Sequence, residues 1–293
     1  MAQINLSDLP APLVVEPLSF ETILAAMRVD LIARFPAIAP TLQLESAVVN
    51  HVLQVCAYRE LILRARVNDA ARSVILAFST GSDLDQIGAT FGVARMVMTP
   101  ATDEAPAVME DDERFRLRVQ LGIIAYSVAG PIEAYIFHAL TADPTILDAA
   151  VNNPHTNRIE LTILSATGSG AASGDQLEAV ADALSPYRAR PLTDDLSVRS
   201  ATIVTQAVVV RLILPLGPSP AVIRERAQTA IRAYADERHR IGKALRVDGI
   251  IAAARTAGSV EQAIVEEPEA DVDPGIAGAV YVPTVTVVSE IVP

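Results

Sequence analysis

From Thr41 to Thr80 the chain contains neither glycine nor proline. Within that run Val49, Leu53, Cys56, Leu63, Val67, Ala70, Val74 and Ala77 recur at alternating steps of three and four, interrupted by Glu60, and Val48, Val52, Val55 and Ile62 widen the stripe. Residues three and four apart share one face of a helix, so the pattern predicts a long amphipathic helix. A helix of about 33 residues would extend about 50 Å at 1.5 Å per residue, more than the roughly 30 Å of a small domain. Helices of that length belong to bundles or coiled coils, often with helices from other chains. The alternative is a kinked helix packed wholly within its own chain. On the first reading Val49, Leu53, Leu63, Val67 and Val74 are the candidate interface residues.

The flanks punctuate differently. Pro10, Pro12 and Pro17 make residues 1–18 an extended arm, and Ser19 is a candidate N-cap for a helix carrying Phe20, Leu24, Met27 and Leu31 on one face. Phe35-Pro36 to Pro40 breaks that helix. After Gly81-Ser82 a short helix with Leu84, Ile87 and Phe91 ends near Gly92, Met98 to Ala107 reads as a loop, and Glu110 to Glu113 opens a helix containing Phe115, Val119, Ile123 and Tyr126. Gly130-Pro131 starts another helix, which Asp143-Pro144 stops.

Beyond residue 145 the period changes from helical spacing to alternation. Ile146 to Val151 and Arg158 to Leu164 read as strands, the latter as a half-buried one. Gly168 to Gly174 is a small-residue loop, Gln176 to Leu184 a short helix and Asp195 to Ala201 a strand, giving β-β-α-β. A second unit follows. Thr205 to Leu214 reads as a strand and Ser219-Pro220 starts a helix; Asp248 caps another that Gly258 ends; Val260 to Glu266 and Val280 to Val288 are closing strands around a Pro274-Gly275 turn. The expected fold is α+β: an N-terminal helical bundle arm with a long helix, then two small α+β domains. The expected divisions are 1–80, 81–144, 145–202 and 203–293.

Composition narrows the classes. With 51% apolar residues the chain is globular, and with no tryptophan and 4% aromatics its cores are aliphatic. No run of eighteen uncharged apolar residues occurs, so no membrane-spanning helix is expected, and the first residues lack the basic start and apolar stretch of a signal peptide. A net charge of −12 opposes nonspecific binding to nucleic acid or anionic membrane. Lys243 is the single lysine; the remaining cations are arginines, which suit interfaces and buried ion pairs, although a bias in codon usage gives the same composition. One cysteine, Cys56, excludes an intrachain disulfide framework.

No catalytic constellation emerges. His51, His138, His155 and His239 lie on no metal-ligand template, and His138 on its apolar helix reads as a packed residue. Glu110 to Glu113 could form paired carboxylates for acid–base work, but acids ahead of a helix also cap its free amides. Asp83 and Asp85 start like a calcium loop without the glycine and distal glutamate that would complete it. Gly168-Ser-Gly-Ala-Ala-Ser-Gly174 imitates a phosphate loop but lacks its lysine. An enzyme or phosphate binder using that loop is the alternative to a structural role. No cofactor, metal ligand or catalytic residue is expected.

Several stretches, taken in order, resemble one family. Leu84-Asp-Gln-Ile-Gly-Ala-Thr-Phe-Gly-Val-Ala-Arg95, Asp112-Glu-Arg-Phe-Arg-Leu-Arg118, Ser127 to Pro154, Arg158 to Ser165 and Arg190-Pro-Leu-Thr-Asp-Asp195 are similar to baseplate J-like proteins of contractile-tailed phages. The resemblance covers most of residues 80–215. The turn Pro154-His-Thr-Asn157-Arg departs from it, since this turn often holds proline and glycine in the family; asparagine tolerates the left-handed conformation that such a turn needs. The resemblance implies a non-enzymatic wedge protein of the tail baseplate, in a phage or a phage-derived contractile particle. It implies a ring around the central hub and spike that passes conformational change to the sheath. The implied partners are a second copy and a related wedge chain in a heterotrimeric helical bundle, together with other wedge, hub or sheath-proximal proteins, without nucleic acid or membrane insertion. The implied location is the virion baseplate, assembled in the host bacterial cytoplasm.

Overall fold

The computed structural model describes residues 6, 9–127, 130–155, 158–185, 191, 194–217 and 219–291, with the side chains of 154 and 155 outside that description. The turn at Asn157 and most of the stretch 186–193 therefore lie outside the described residues. The chain divides into two compact units: residues 1–95 with 111–119, and residues 96–110 with 120–293.

The first unit is helical. Helix α1 (Phe20–Arg34) begins at Ser19, whose hydroxyl accepts from the Thr22 N–H as its cap. A single 3-10 turn (Pro36–Ile38) and the short α2 (Ala39–Leu42) follow, and α3 (Val48–Ser73) is the long helix. Its 26 residues span about 39 Å at 1.5 Å per residue. It is shorter at both ends than the uninterrupted run predicts, because side chains compete for the backbone groups that would extend it. At the start, the buried Asn50 donates to the carbonyls of Leu42 and Leu44, 3.2 and 2.7 Å away, and holds the incoming chain in a loop. At the end, Arg116 donates to the carbonyls of Leu76 and Ser79, at 2.8 and 2.7 Å, and draws them off the helical path. Helix α4 (Gly81–Thr90) then leads to Gly92, whose φ of 67° places it in the left-handed region favoured just past a helix end.

Helix α5 (Asp112–Ala125) contributes its first half to this unit and its second half to the next. Its acidic approach does structural work. Asp111 Oδ1 accepts from the N–H groups of Glu113 and Arg114, at 3.0 and 2.9 Å. In the second unit the buried Glu110 accepts from the Met96 N–H at 3.1 Å. The segment read as a loop from Met98 to Ala107 is instead a small hairpin, β1 (Val97–Thr99) antiparallel to β2 (Val108–Met109), with the loop at its tip.

The second unit continues with α6 (Ile132–Ala142), β3 (Ile146–His155), β4 (Arg158–Ser165), α7 (Gly174–Leu184) and β5 (Asp195–Ser200). The sheet order is β3-β4-β5, with β3 antiparallel and β5 parallel to β4. The β-β-α-β order is as expected, but β4 is not half-buried. Its last five residues are all buried, because one face packs Leu161 and Ile163 under α6 and α7 while the other sends Leu164 into a second cluster with Ile241 and Ala279. Helix α7 starts with a reciprocal cap: Ser173 Oγ accepts from Gln176 N–H while Gln176 Oε1 accepts from Ser173 N–H.

The strand read from Thr205 to Leu214 is β7 (Val208–Leu214), preceded by a separate short strand, β6 (Thr202–Thr205), that the reading left out, and the closing strand splits into β9 (Gly278–Tyr281) and β10 (Val285–Ile291). β6 pairs with β9 and β7 with β10, both in parallel, while β8 (Gln262–Glu267) completes the order β10-β7-β8. Helices α8 (Pro220–Arg238) and α9 (Val247–Arg255) cover one face of that sheet, burying Val208, Val210, Leu212 and Leu214 against Ile223, Ala227, Ile231 and Ile250. Asp248 is not the cap of α9 but lies in its first turn. The cap comes from the loop between β8 and β9: Asp271 accepts from the Val247 N–H at 2.8 Å and from Arg246 at 2.7 Å, which together hold its carboxyl below its ordinary value.

Candidate functional site

The exposed surface of α3 is the feature of the first unit that its own fold leaves unexplained. Each residue of a helix is rotated about 100° from the last, so three sides can be separated around Ala57. On the side centred on Ala57 the helix packs against α1: Leu53, Ala57 and Leu61 meet Phe20, Ile23, Leu24 and Met27. Farther along this side the buried Asn68 accepts from the Glu16 N–H and donates to the Glu16 carbonyl, at 3.2 and 2.9 Å. Arg64 binds the carboxylates of Glu16 and Glu60. A flanking side carries Val49, Cys56, Leu63, Val67 and Val74; the last three are 65%, 56% and 75% exposed. The side opposite Ala57 carries Val48, Val55 and Ile62, all exposed, together with Arg59 and Arg66.

Of the sequence-derived interface residues, Leu53 therefore packs within the chain, Val49 is half-buried, and Leu63, Val67 and Val74 face outward. The stripe's missing members are Arg59 and Arg66. Val48, Val52, Val55, Arg59, Ile62 and Arg66 form their own run of four-three steps, which a search for apolar residues alone breaks at the two arginines.

The motifs quoted for the family resemblance assemble into two nodes. In the first unit Arg95 binds Asp85 and Asp112, each at 2.7 Å, and its guanidinium lies 4.7 Å from the ring centre of Phe115. Gly88 lets that ring approach, since a Cβ there would stand 2.4 Å from Phe115 Cζ. Burial alone would raise the Asp112 carboxyl, but the Gly81 N–H and the Arg95 guanidinium outweigh it and hold it below its ordinary value. Asp85 is thus a structural ion-pair partner and not part of a calcium loop. In the second unit the Tyr135 hydroxyl donates to Asp194, and Gly130, at φ 77°, leaves room for Pro191.

The small-residue loop has a definite occupant. Gly170 has φ of 100°, and a Cβ on it would lie 2.8 Å from both His239 Nε2 and Leu164 Cδ1. His239 Nδ1 lies 2.7 Å from the Val280 carbonyl. Beside it, Asp148 accepts from the Ile241 N–H at 3.0 Å and Arg240 donates to the Leu147 carbonyl at 2.7 Å. The loop is the seat of the turn 239–242. His138 lies edge-on to Phe137, and burial pushes its imidazole below its ordinary value, as a neutral packed ring requires. The side chain of His155 lies outside the described residues, as noted above. Among the described residues no group of His, Cys, Asp and Glu could hold a metal ion, and no helix is long and apolar enough to cross a membrane.

Comparison with known proteins agrees with this architecture. Residues 45–102 match the baseplate J-like N-terminal domain and residues 127–200 the baseplate J-like central domain. Baseplate protein J of Escherichia phage P2 is 41% identical over 281 residues, which span 93% of each chain. The chain belongs to the baseplate J-like family. Its members are structural proteins of phage tail baseplates and not enzymes, so the enzymatic alternative for Gly168 to Gly174 is withdrawn. The N-terminal match contains all of α3 and the segment through Arg95, and the central match contains the sheet β3-β4-β5 with α6 and α7.

Proposed function

We propose that this chain is a wedge protein of a contractile tail baseplate, in a phage or a phage-derived particle. In this reading the arm, residues 1–80, joins a helical bundle with a second copy and a related wedge chain. Residues 81–144 connect it to two α+β regions, 145–202 and 203–293, which meet neighbouring wedges in a ring around the hub and spike and pass conformational change to the sheath. One observation carries the proposal: α3 carries apolar residues on three sides, with Arg59 and Arg66 among them on one, and the described residues of its own unit cover one side. Fully covering a Val, Leu or Ile is worth about 1.5–3 kcal/mol, so a few such residues along one side supply the driving force for association. A partial second support is the sheet β10-β7-β8. Parallel pairs are ordinarily covered on both faces, and here Val209, Ile213, Ile264 and Val288 lie on the face away from α8 and α9, around Arg211 and its ion pairs with Glu266 and Glu290. The test is co-expression of the chain with the other baseplate proteins of its particle, followed by electron microscopy. The expected result is density for this chain in the wedge, with α3 surrounded by helices; location outside the baseplate would overturn the reading.

A further inference from the structure

The two uncovered sides of α3 differ in chemistry, and the difference bears on which partner each one takes. The flanking side is aliphatic: Val49, Cys56, Leu63, Val67 and Val74 follow one another, and Glu60 at its margin is already held by Arg64. The opposite side places Arg59 and Arg66 in line with Val48, Val55 and Ile62, one heptad apart. No ion pair joins either arginine to another described residue, whereas Arg64 is bound twice. Covering this side with an apolar helix would strip water from two guanidinium groups that have no carboxylate partner among the described residues, which a dry contact strongly disfavours. Covering it with a second copy in a parallel symmetric pair would set arginine against arginine.

We infer that the Arg59–Arg66 side of α3 receives a non-identical helix bearing two carboxylates one heptad apart, while the Leu63–Val67 side receives a second copy of this chain. The inference rests on the bundle reading above and assigns its two vacant sides by charge. Carboxylates opposite Arg59 and Arg66 satisfy the fixed fork of each guanidinium, while the like charge of the arginines themselves disfavours self-pairing on that side.

The experiment uses the full chain and two synthetic amphipathic helices with the same aliphatic heptad stripe. One carries glutamates at two stripe positions a heptad apart, the other lysines. The expected result by fluorescence anisotropy is that the glutamate helix binds at least about tenfold tighter, with the preference shrinking as salt rises. Arg59→Glu with Arg66→Glu should reverse the preference and leave the chain's own oligomeric mass, measured by light scattering, unchanged. Equal binding of the two helices to a self-associating wild-type chain would overturn the assignment alone. A change of oligomeric mass in the double variant would also overturn it, by placing the second copy on the charged side. A wild-type chain that stays monomeric and binds neither helix would remove the bundle reading itself.

Discussion

The arm and the last α+β layer have similar apolar content but use it oppositely. Around β10, β7, β8, α8 and α9, with β9 and the adjoining loops, sixteen buried apolar residues make one core. Across α1 to α3, Ile23, Leu24 and Ala57 are the buried apolar residues, while Val48, Val52, Val55, Tyr58, Ile62, Leu63, Val67 and Val74 are exposed on or beside α3. The layer spends its aliphatic residues on its own stability. The arm holds them outward, which a stable monomer has no reason to do. Sequence periodicity identifies both as amphipathic, but it does not say whether the partner of an apolar face lies in the same chain.

The contrast can be broken at its strongest point. Leu63→Asp with Val67→Asp should abolish self-association of the chain, read as oligomeric mass by light scattering, while the protein keeps its helical circular dichroism; an unchanged oligomeric mass would defeat the proposed use of this side. If the variant loses its helical signal instead, the side packs within its own chain. The converse substitution acts on folding: Leu212→Ala, in the layer's core, should cost about 2–5 kcal/mol in urea denaturation, and Leu63→Ala in the isolated chain less than about 0.5 kcal/mol.

Gly170→Ala sharpens the comparison within the second unit. The positive φ and the contact with His239 both oppose a side chain, so a loss of about 1–3 kcal/mol is expected, with increased hydrogen exchange at residues 239–242. A smaller effect separates two carboxylates by pH. Asp112 is held below its ordinary value, so its contribution is present above about pH 3.9 and is lost as pH falls through the folded value. Asp148 is pushed up by burial, against the pull of the Ile241 N–H, Arg240, the Ala149 N–H and Lys243. Its contribution is greatest below about pH 3.9 and is lost as pH rises through the folded value. Asp112→Asn should therefore flatten the acid side of the stability profile and Asp148→Asn the side above it, as thermal melts across the range would record. The smallest effect is chemical: Cys56 is exposed in the isolated chain, and its alkylation by a maleimide should slow in assembled particles.

The sequence exposed the order of elements well where punctuation is local. Ser19 as a cap, Gly92 past a helix and Asp143 before Pro144 all act within a few residues of themselves. It misplaced the ends of α3 because Arg116 and Asn50 decide them, and Arg116 reaches back from a different helix. It missed β6 and merged β9 with β10, because β-prone residues run through both stretches and the separation depends on which strand each one pairs with. It gave α9 the wrong aspartate, since Asp248 has a cap's position in sequence but Asp271 has it in space. For the candidate surface, the aliphatic stripe was legible from spacing. Which of its residues turn toward α1 was not, because α1 approaches through contacts distant in sequence.

The parallel pairing of β7 with β10 also fixes an order in time. β7 lies between β8 and β10, and both of its neighbours are synthesised after α8 and α9. A ribosome making this chain has therefore released α1 and α3 long before β7 can acquire its ladder. Non-local pairings of this kind close late and slowly. Throughout that interval the nascent chain displays a finished helix with sticky sides, so the first encounter with another chain can precede completion of the fold.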